Sequence, residues 1–196
     1  DELDRLLGSI QRGSTVLVVD DASARPEDTI AIAERHSALT VLLPSNVGAA
    51  AARNAGLARA STRFVAFVDS DVVLTPDCIP LLLRHFADPK VALVAPRVLG
   101  LPAVSGETWI NRYEDARSSL DLGQHPGIVK PRSKVSWLSG TAILARVDAL
   151  GAGFTPHMRS GEDVDLVWRL VEEGYRVRYE PAVHVFHEHR STVNAW

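Results

Sequence analysis

Asp69 and Asp71, one residue apart, follow directly on the apolar run Phe64-Val65-Ala66-Phe67-Val68, and apolar residues resume at Val72. A Val- and Phe-rich run of this length reads as a buried strand. Two carboxylates at the end of such a strand repel each other unless a positive group sits between them. A hard divalent cation, carried in with phosphate oxygens, is the natural candidate. A solvated turn accounts for Asp69-Ser70-Asp71 as simply, because Asp and Ser favour turns. Asp163, in Ser160-Gly161-Glu162-Asp163, has two readings as well. It caps the helix beginning there, at capping-box spacing from Ser160, or it faces a cleft as a general base. His187, ending a late strand, is either an ordinary satisfied histidine or a further ligand for an Asp-x-Asp metal site.

Residues of this kind need elements to position them. Leu3, Leu6, Leu7 and Ile10 have helical spacing, so Asp1 to Arg12 reads as an amphipathic helix. Thr15 to Val19 is a β-branched strand that runs into Asp20-Asp21-Ala22-Ser23. Pro26 opens a helix to about His36, with Glu27 and Asp28 in its first turn, where the dipole favours acids. Thr40 to Leu43 is a strand, Gly48 to Ala60 an Ala-rich helix, and Phe64 to Val68 a strand. A helix from Thr75-Pro76 to Phe86 and a strand from Val91 to Ala95 follow. This alternation predicts an α/β fold, with a mainly parallel sheet and helices on both faces. Ligands of such sheets lie beyond the carboxyl ends of the strands, where both acidic pairs fall.

The rhythm breaks between Pro96 and Arg132, where only Trp109 to Leu120 has a helical pattern. This stretch reads as an irregular excursion over the site, within one domain covering residues 1–196. Val135 to Ala145 reads as a strand interrupted by Ser139-Gly140-Thr141. The helix after Ser160 carries Val164, Val167, Trp168 and Val171 on one face and stops at Gly174. Tyr175 to Tyr179 and Ala182 to Phe186 read as two strands around Pro181.

Composition sets bounds. The net charge of −3, with no basic stripe, argues against nucleic acid as the main partner. The single cysteine, Cys78, excludes an intramolecular disulfide and a Cys-based zinc site, and points to a reducing, cytoplasmic setting. No apolar run approaches the roughly 20 residues of a membrane span. The first residue is not Met and the last follows a strand-like segment closely, so a fragment of a longer protein is expected. Membrane association of that longer protein is left open.

Taken in order, Val18-Val19-Asp20-Asp21-Ala22-Ser23, Asn46-Val47-Gly48, Arg53-Asn54-Ala55-Gly56, Asp69-Ser70-Asp71 and Gly161-Glu162-Asp163 resemble the inverting family 2 glycosyltransferases of GT-A fold. The likeness covers about residues 15 to 190 and rests on the order of the motifs, since none is specific alone. It implies a UDP-sugar donor, UDP-glucose being favoured, a small-molecule or peptide-derived acceptor, and Mn2+ or Mg2+. It also implies roles. Asp20 or Asp21 would hold the uracil and ribose, with Asn46, Gly48 and Arg53 near the same nucleotide. Asp69 would approach the ribose and the cation, and Asp71 would ligate the cation on the diphosphate. His187, preferred over His189 because it follows Tyr179-Glu180-Pro181, would complete the metal site. Asp163 would take the acceptor proton, and Trp137, Gly140 and Glu162 would line the acceptor side.

One departure stands out. The family opens with an apolar strand that sits centrally in the sheet, whereas here the chain starts at the helix after it. A gap is therefore expected between the Thr15 strand and the Phe64 strand. Two other functions compete with sugar transfer. A nucleotidyltransferase shares acid-tipped strands but carries a Gly-rich loop with Arg and Lys near its first strand. A non-catalytic nucleotide-sugar-binding domain follows if Asp163 only caps its helix.

Overall fold

A computed structural model describes residues 1–101 and 118–188. The chain opens with helix α1 (Glu2–Ser9), capped by the Asp1 carboxylate, which accepts from the Leu3 amide. Strand β1 (Leu17–Asp20), helix α2 (Pro26–Arg35), strand β2 (Leu39–Leu42) and helix α3 (Ala49–Leu57) follow. Strands β3 (Phe64–Val68) and β4 (Val72–Leu74) flank the acidic turn. Helix α4 (Cys78–Leu83) tightens into a 3-10 turn over Arg84–Ala87 before strand β5 (Val91–Gly100). The short strand β6 (Gly127–Ile128), strand β7 (Ala142–Arg146), helix α5 (Glu162–Glu172) and strand β8 (Arg176–His187) complete the described elements.

The larger sheet has the order β3-β7-β5-β8-β4, with β6 on β8. β3, β5 and β8 run in one direction, but β7 lies reversed between β3 and β5. The sheet is therefore mixed in its ladders while its three long-range strands share one sense. The reversal matters for the site. It sets the start of β7 against the end of β3, pairing Val68 with Ala142.

β1 and β2 form a separate parallel pair, and among the described residues no ladder joins β1 to β3. That break falls where the gap was expected. Helix α3 ties β1 to the rest: a Cβ on Gly56 would sit 3.3 Å from Val19 Cγ2, so glycine gives helix and strand a tight approach that a side chain would crowd.

Both faces of the sheet are covered. Along β7, Ile143 and Ala145 face a core shared with Phe154, Leu166, Val167 and Leu170, while Ala142 and Leu144 face one shared with Leu6, Leu82 and Phe86. The period of two thus feeds both cores, and the strand reads as a continuous apolar run for that reason. Each fully buried Leu or Phe contributes about 1.5–3 kcal/mol, so these two faces hold the layers together.

Four sequence readings need correction. β5 runs on to Gly100, so Pro96 to Gly100 belongs to the sheet and not to the excursion. Most of the excursion's expected helix, Trp109 to Leu120, lies outside the described residues, and Ser118 to Leu120 are not helical. The described remainder is anchored to the sheet: Arg97 holds Asp121 with two hydrogen bonds of 2.8 and 2.7 Å, and Tyr179 donates to the Gly123 carbonyl. Val135 to Thr141 is not strand, and within it the Gly140 amide goes to the Asp163 carboxylate instead of a ladder. Finally, β8 is one strand whose register jumps opposite Pro96 and Arg97, from Glu180 to His184. Pro181, which lacks a ladder donor, falls within that irregularity.

Candidate functional site

Arg53 is the centre of the site. It projects from the middle of α3 and is held between β3 and α5. Nη2 donates to Asp69 Oδ1 at 2.7 Å, and Nη1 donates to Glu162 Oε1 at 2.7 Å. Only 12% of its side chain is exposed, and its guanidinium lies 5.4 Å from the centre of the Phe154 ring. Glu162 is equally enclosed, at 12%. A planar fork suits this double task, since each carboxylate takes a different nitrogen of one rigid group.

Asp69 sits at the end of β3, its amide donating to the Thr141 carbonyl at the start of β7. Burial pushes its carboxyl above the ordinary range, and Arg53 and His187 oppose that while Asp71 reinforces it. The Val72 amide donates to the Asp69 carbonyl and closes a tight turn between β3 and β4.

Asp71 faces the other way. Its Oδ2 lies 3.1 Å from His187 Nε2, and β4 pairs with β8 so that Val72 stands opposite His187. Burial pushes the Asp71 carboxyl up, but the hydrogen bond and charge of His187 outweigh it and leave the carboxyl below its ordinary value. Its other oxygen, Oδ1, is buried with no hydrogen-bond partner among the described residues. An orphaned carboxylate oxygen costs free energy unless something binds it, so this atom fits a cation or a ligand donor. Among the described residues no group of three His, Cys, Asp or Glu could hold a metal unaided. The expected trio Asp69, Asp71 and His187 is thus split: Asp69 Oδ1 is turned to Arg53, and Asp71 with His187 forms a pair. His189 lies outside the described residues.

Asp163 is on the first turn of α5, next to Glu162. Its Oδ2 accepts from the Gly140 amide at 2.8 Å and its Oδ1 from the Val164 amide at 2.8 Å. The helix N-cap is Gly161, at φ +78°, with no side-chain cap, so the Ser160–Asp163 capping box does not form. Gly140 is where α3, β7 and α5 converge: a Cβ there would come within 3.1 Å of both Arg53 Nη1 and Asp163 Cβ. Trp137 is half-buried in the segment leading to Gly140.

The acids after β1 hold loops. Asp20 is buried, and its oxygens accept from the Ser23 amide at 2.7 Å and the Ser23 hydroxyl at 2.6 Å. Asp21 accepts from the amides of Val47 and Gly48 at 2.7 and 2.8 Å, while Asn46 donates to the Asp21 carbonyl. Gly48, at φ +88°, adopts a conformation suited to glycine so that this loop can turn onto α3. Burial pushes the Asp20 carboxyl up, but the two Ser23 bonds and those from Thr29 and Ala22 win and leave it below its ordinary value. A depressed folded-state value stabilises the protein above the unfolded carboxyl pKa of about 4, and that stabilisation is lost as pH falls through the folded value. Asp20→Asn is therefore expected to lower the urea midpoint at pH 7, with the gap to wild type narrowing below about pH 4. A gap independent of pH contradicts this.

Asn54 has a part that its sequence position alone did not disclose. Its amide brackets the Phe154 backbone, Oδ1 accepting from the Phe154 amide at 2.8 Å and Nδ2 donating to the Phe154 carbonyl at 2.7 Å. Arg169 of α5 donates to the Gly153 carbonyl, and Asp165 accepts from Thr155. Together they pin the loop before α5, and so the floor under Arg53. The adjacency of Asn54 to Arg53 was the available signal, but its partner lies 100 residues away.

The family model described as Glycosyl transferase family 2 matches residues 1–154. The chain is 49% identical, over 99% of its length and 41% of the relative's, to the pre-mycofactocin glycosyltransferase of Mycobacterium tuberculosis. It is 26% identical, over 92% of its length and 44% of the relative's, to the poly-beta-1,6-N-acetyl-D-glucosamine synthase of Staphylococcus aureus. It therefore spans about two-fifths of the length of the curated relatives it matches. Among solved structures, the mannosyltransferase of Pyrobaculum calidifontis in complex with GDP-Man and Mn2+ superposes with a TM-score of 0.71 at 21% identity, over 98% of this chain and 54% of that one. GalNAc-T7 with UDP, GalNAc and Mn2+ gives 0.71 at 14% identity, over 96% of this chain and 41% of that one. At these identities the likeness is one of fold, and the fold is GT-A.

Proposed function

This chain belongs to glycosyl transferase family 2, and from that premise we propose that it moves a hexose from a UDP-sugar to an acceptor hydroxyl with inversion at the anomeric carbon. UDP-glucose is the favoured donor. The acceptor is a pre-mycofactocin-like compound, after the name of the mycobacterial relatives. The observation that carries this reading is the buried, unpartnered Oδ1 of Asp71 at the strand ends, beside His187.

Asp71 and His187 would hold Mn2+ or Mg2+. The pair fits a cation that takes its remaining ligands from diphosphate oxygens and water, as Mg2+ commonly does. Such a cation, when bound, neutralises the leaving diphosphate as a Lewis acid. The protein's own residues supply the rest. Asp69 contacts the ribose with the oxygen that Arg53 leaves open. Arg53 keeps Asp69 and Glu162 apart and oriented. Asp163, fixed by the Gly140 and Val164 amides, accepts the proton of the attacking hydroxyl, and Trp137, Gly140 and Glu162 border the acceptor. Asn46, Asp21 and Gly48 shape the loop nearest the uracil, and Asp20 steadies the neighbouring turn through Ser23.

Transfer of labelled glucose from UDP-glucose, with and without EDTA, tests the reaction. Asp71→Ala is expected to remove the Mn2+-dependent part of UDP binding in calorimetric titration. An unchanged titration contradicts the metal assignment. Among the described residues no helix is long and apolar enough to cross a membrane.

A further inference from the structure

A second charged cavity lies at the opposite end of the sheet. It is a half-open hollow of about 370 Å³ where β5 and β8 begin, and Arg84, His85, Asp88, Arg176 and Arg178 border it. Arg176 starts the 12-residue strand β8 and His187 ends it, so the cavity is on the order of 30 Å from the Asp71–His187 pair.

Its electrostatics are lopsided. Three guanidiniums line it against one carboxylate, Asp88, which Arg176 holds at 2.5 Å. Glu180 stands behind, 3.1 Å from His85 and 3.3 Å from Arg178. Arg84 has no ion-pair partner among the described residues. Arg178 keeps Nε buried without an acceptor among the described residues. A further cation lies beneath. Arg146 is only 5% exposed and has no carboxylate partner among the described residues. Its donors go to the carbonyls of Val91 and Phe86 at 3.2 and 3.1 Å, and its guanidinium packs on Phe64 and Phe86. A buried guanidinium balanced only by carbonyl dipoles projects its charge through a low-dielectric wall. His85 feels the field: burial first, then the charge of Arg178, push its pKa down despite Glu180.

We propose that this cavity binds the phosphate group of a ligand other than the sugar donor. Guanidinium forks match phosphate oxygens two at a time, and the orphaned Arg178 Nε supplies a donor that nothing in the fold uses. The volume lies at the low end of small-molecule sites, about 300–1,000 Å³, so a phosphorylated metabolite or the headgroup of an anionic lipid fits. The proposal is independent of the sugar-transfer reading.

The test uses the full chain in EDTA, which suppresses metal-dependent diphosphate binding near Asp71. Sodium pyrophosphate is titrated while the His85 ring signals are followed by NMR. Saturable shifts are expected. The double variant Arg84→Gln, Arg178→Gln should weaken binding about tenfold or more. Asp88→Asn, which removes the competing charge but keeps an acceptor for the Lys90 amide, should tighten it severalfold and answers the question if the double variant misfolds. Flotation with phosphatidylglycerol vesicles but not phosphatidylcholine vesicles assigns a lipid source. Pyrophosphate binding without flotation assigns a soluble one, and either supports the site. Absence of saturable shifts and of flotation overturns it, as does equal affinity in all three proteins.

Discussion

Asp163→Asn is expected to cut sugar transfer by about 10²–10⁴-fold, the range for loss of a positioned general base, while UDP affinity stays near that of wild type. The asparagine keeps the size of the side chain and one acceptor oxygen. One of the two bonds, from the Gly140 or the Val164 amide, therefore persists, and the start of α5 stays where it is. What disappears is the capacity to take a proton. The Asp163 carboxylate accepts from the Gly140 and Val164 amides and not from the Asp71–His187 pair, so the donor end should be unaffected. Single-turnover transfer from UDP-glucose, set beside calorimetry with UDP and Mn2+, separates the two effects. Full transfer in this variant eliminates Asp163 as the base, and a parallel loss of UDP binding shows that it props the donor site instead.

Arg53→Ala is expected to destabilise the fold by about 3 kcal/mol, near the lower end for breaking a buried ion pair. Glu162 is only 12% exposed and would be left enclosed without its cation. Asp69 is 40% exposed, so water recovers part of its loss and contributes less to the cost. For a domain whose whole stability is about 5–15 kcal/mol this is a large fraction. Arg53→Lys should rescue little, because one ammonium on a flexible stem cannot reproduce the fork to two carboxylates. Combining Arg53→Met with Glu162→Gln should recover much of the loss, since the stranded charge is then gone. Urea midpoints measure all three. A midpoint for Arg53→Ala equal to wild type would falsify the strut.

Much of this architecture is legible in the residues. Phe64 to Val68 is strand in both the pattern and the structure, and Pro26 opens its helix as its fixed φ predicts. The misplacements have local causes. Pro181 looked like a strand boundary because it cannot donate to a ladder, yet β8 absorbs it as an irregularity between Glu180 and His184. Ser160 and Asp163 looked like a capping box, but Gly161 takes the cap in a left-handed conformation and frees Asp163 for Gly140.

The order of acid-tipped strands, the Arg53-Asn54-Ala55-Gly56 helix and the Gly161-Glu162-Asp163 helix start determined by themselves that this is a family 2 glycosyltransferase fold. Those features rest on short-range sterics and on apolar periodicity, which one sequence displays. Tertiary structure alone decided the rest. It reversed β7 between β3 and β5, and so brought Gly140 to Arg53 and Asp163. It joined Arg53 to Glu162 across 109 residues, and set Ser23 against both carboxylate oxygens of Asp20. It also left Asp71 Oδ1 buried without a partner. Such pairings depend on where chain closure sets distant segments, and on which of several available donors lies nearest. Neither is encoded in the spacing of a motif.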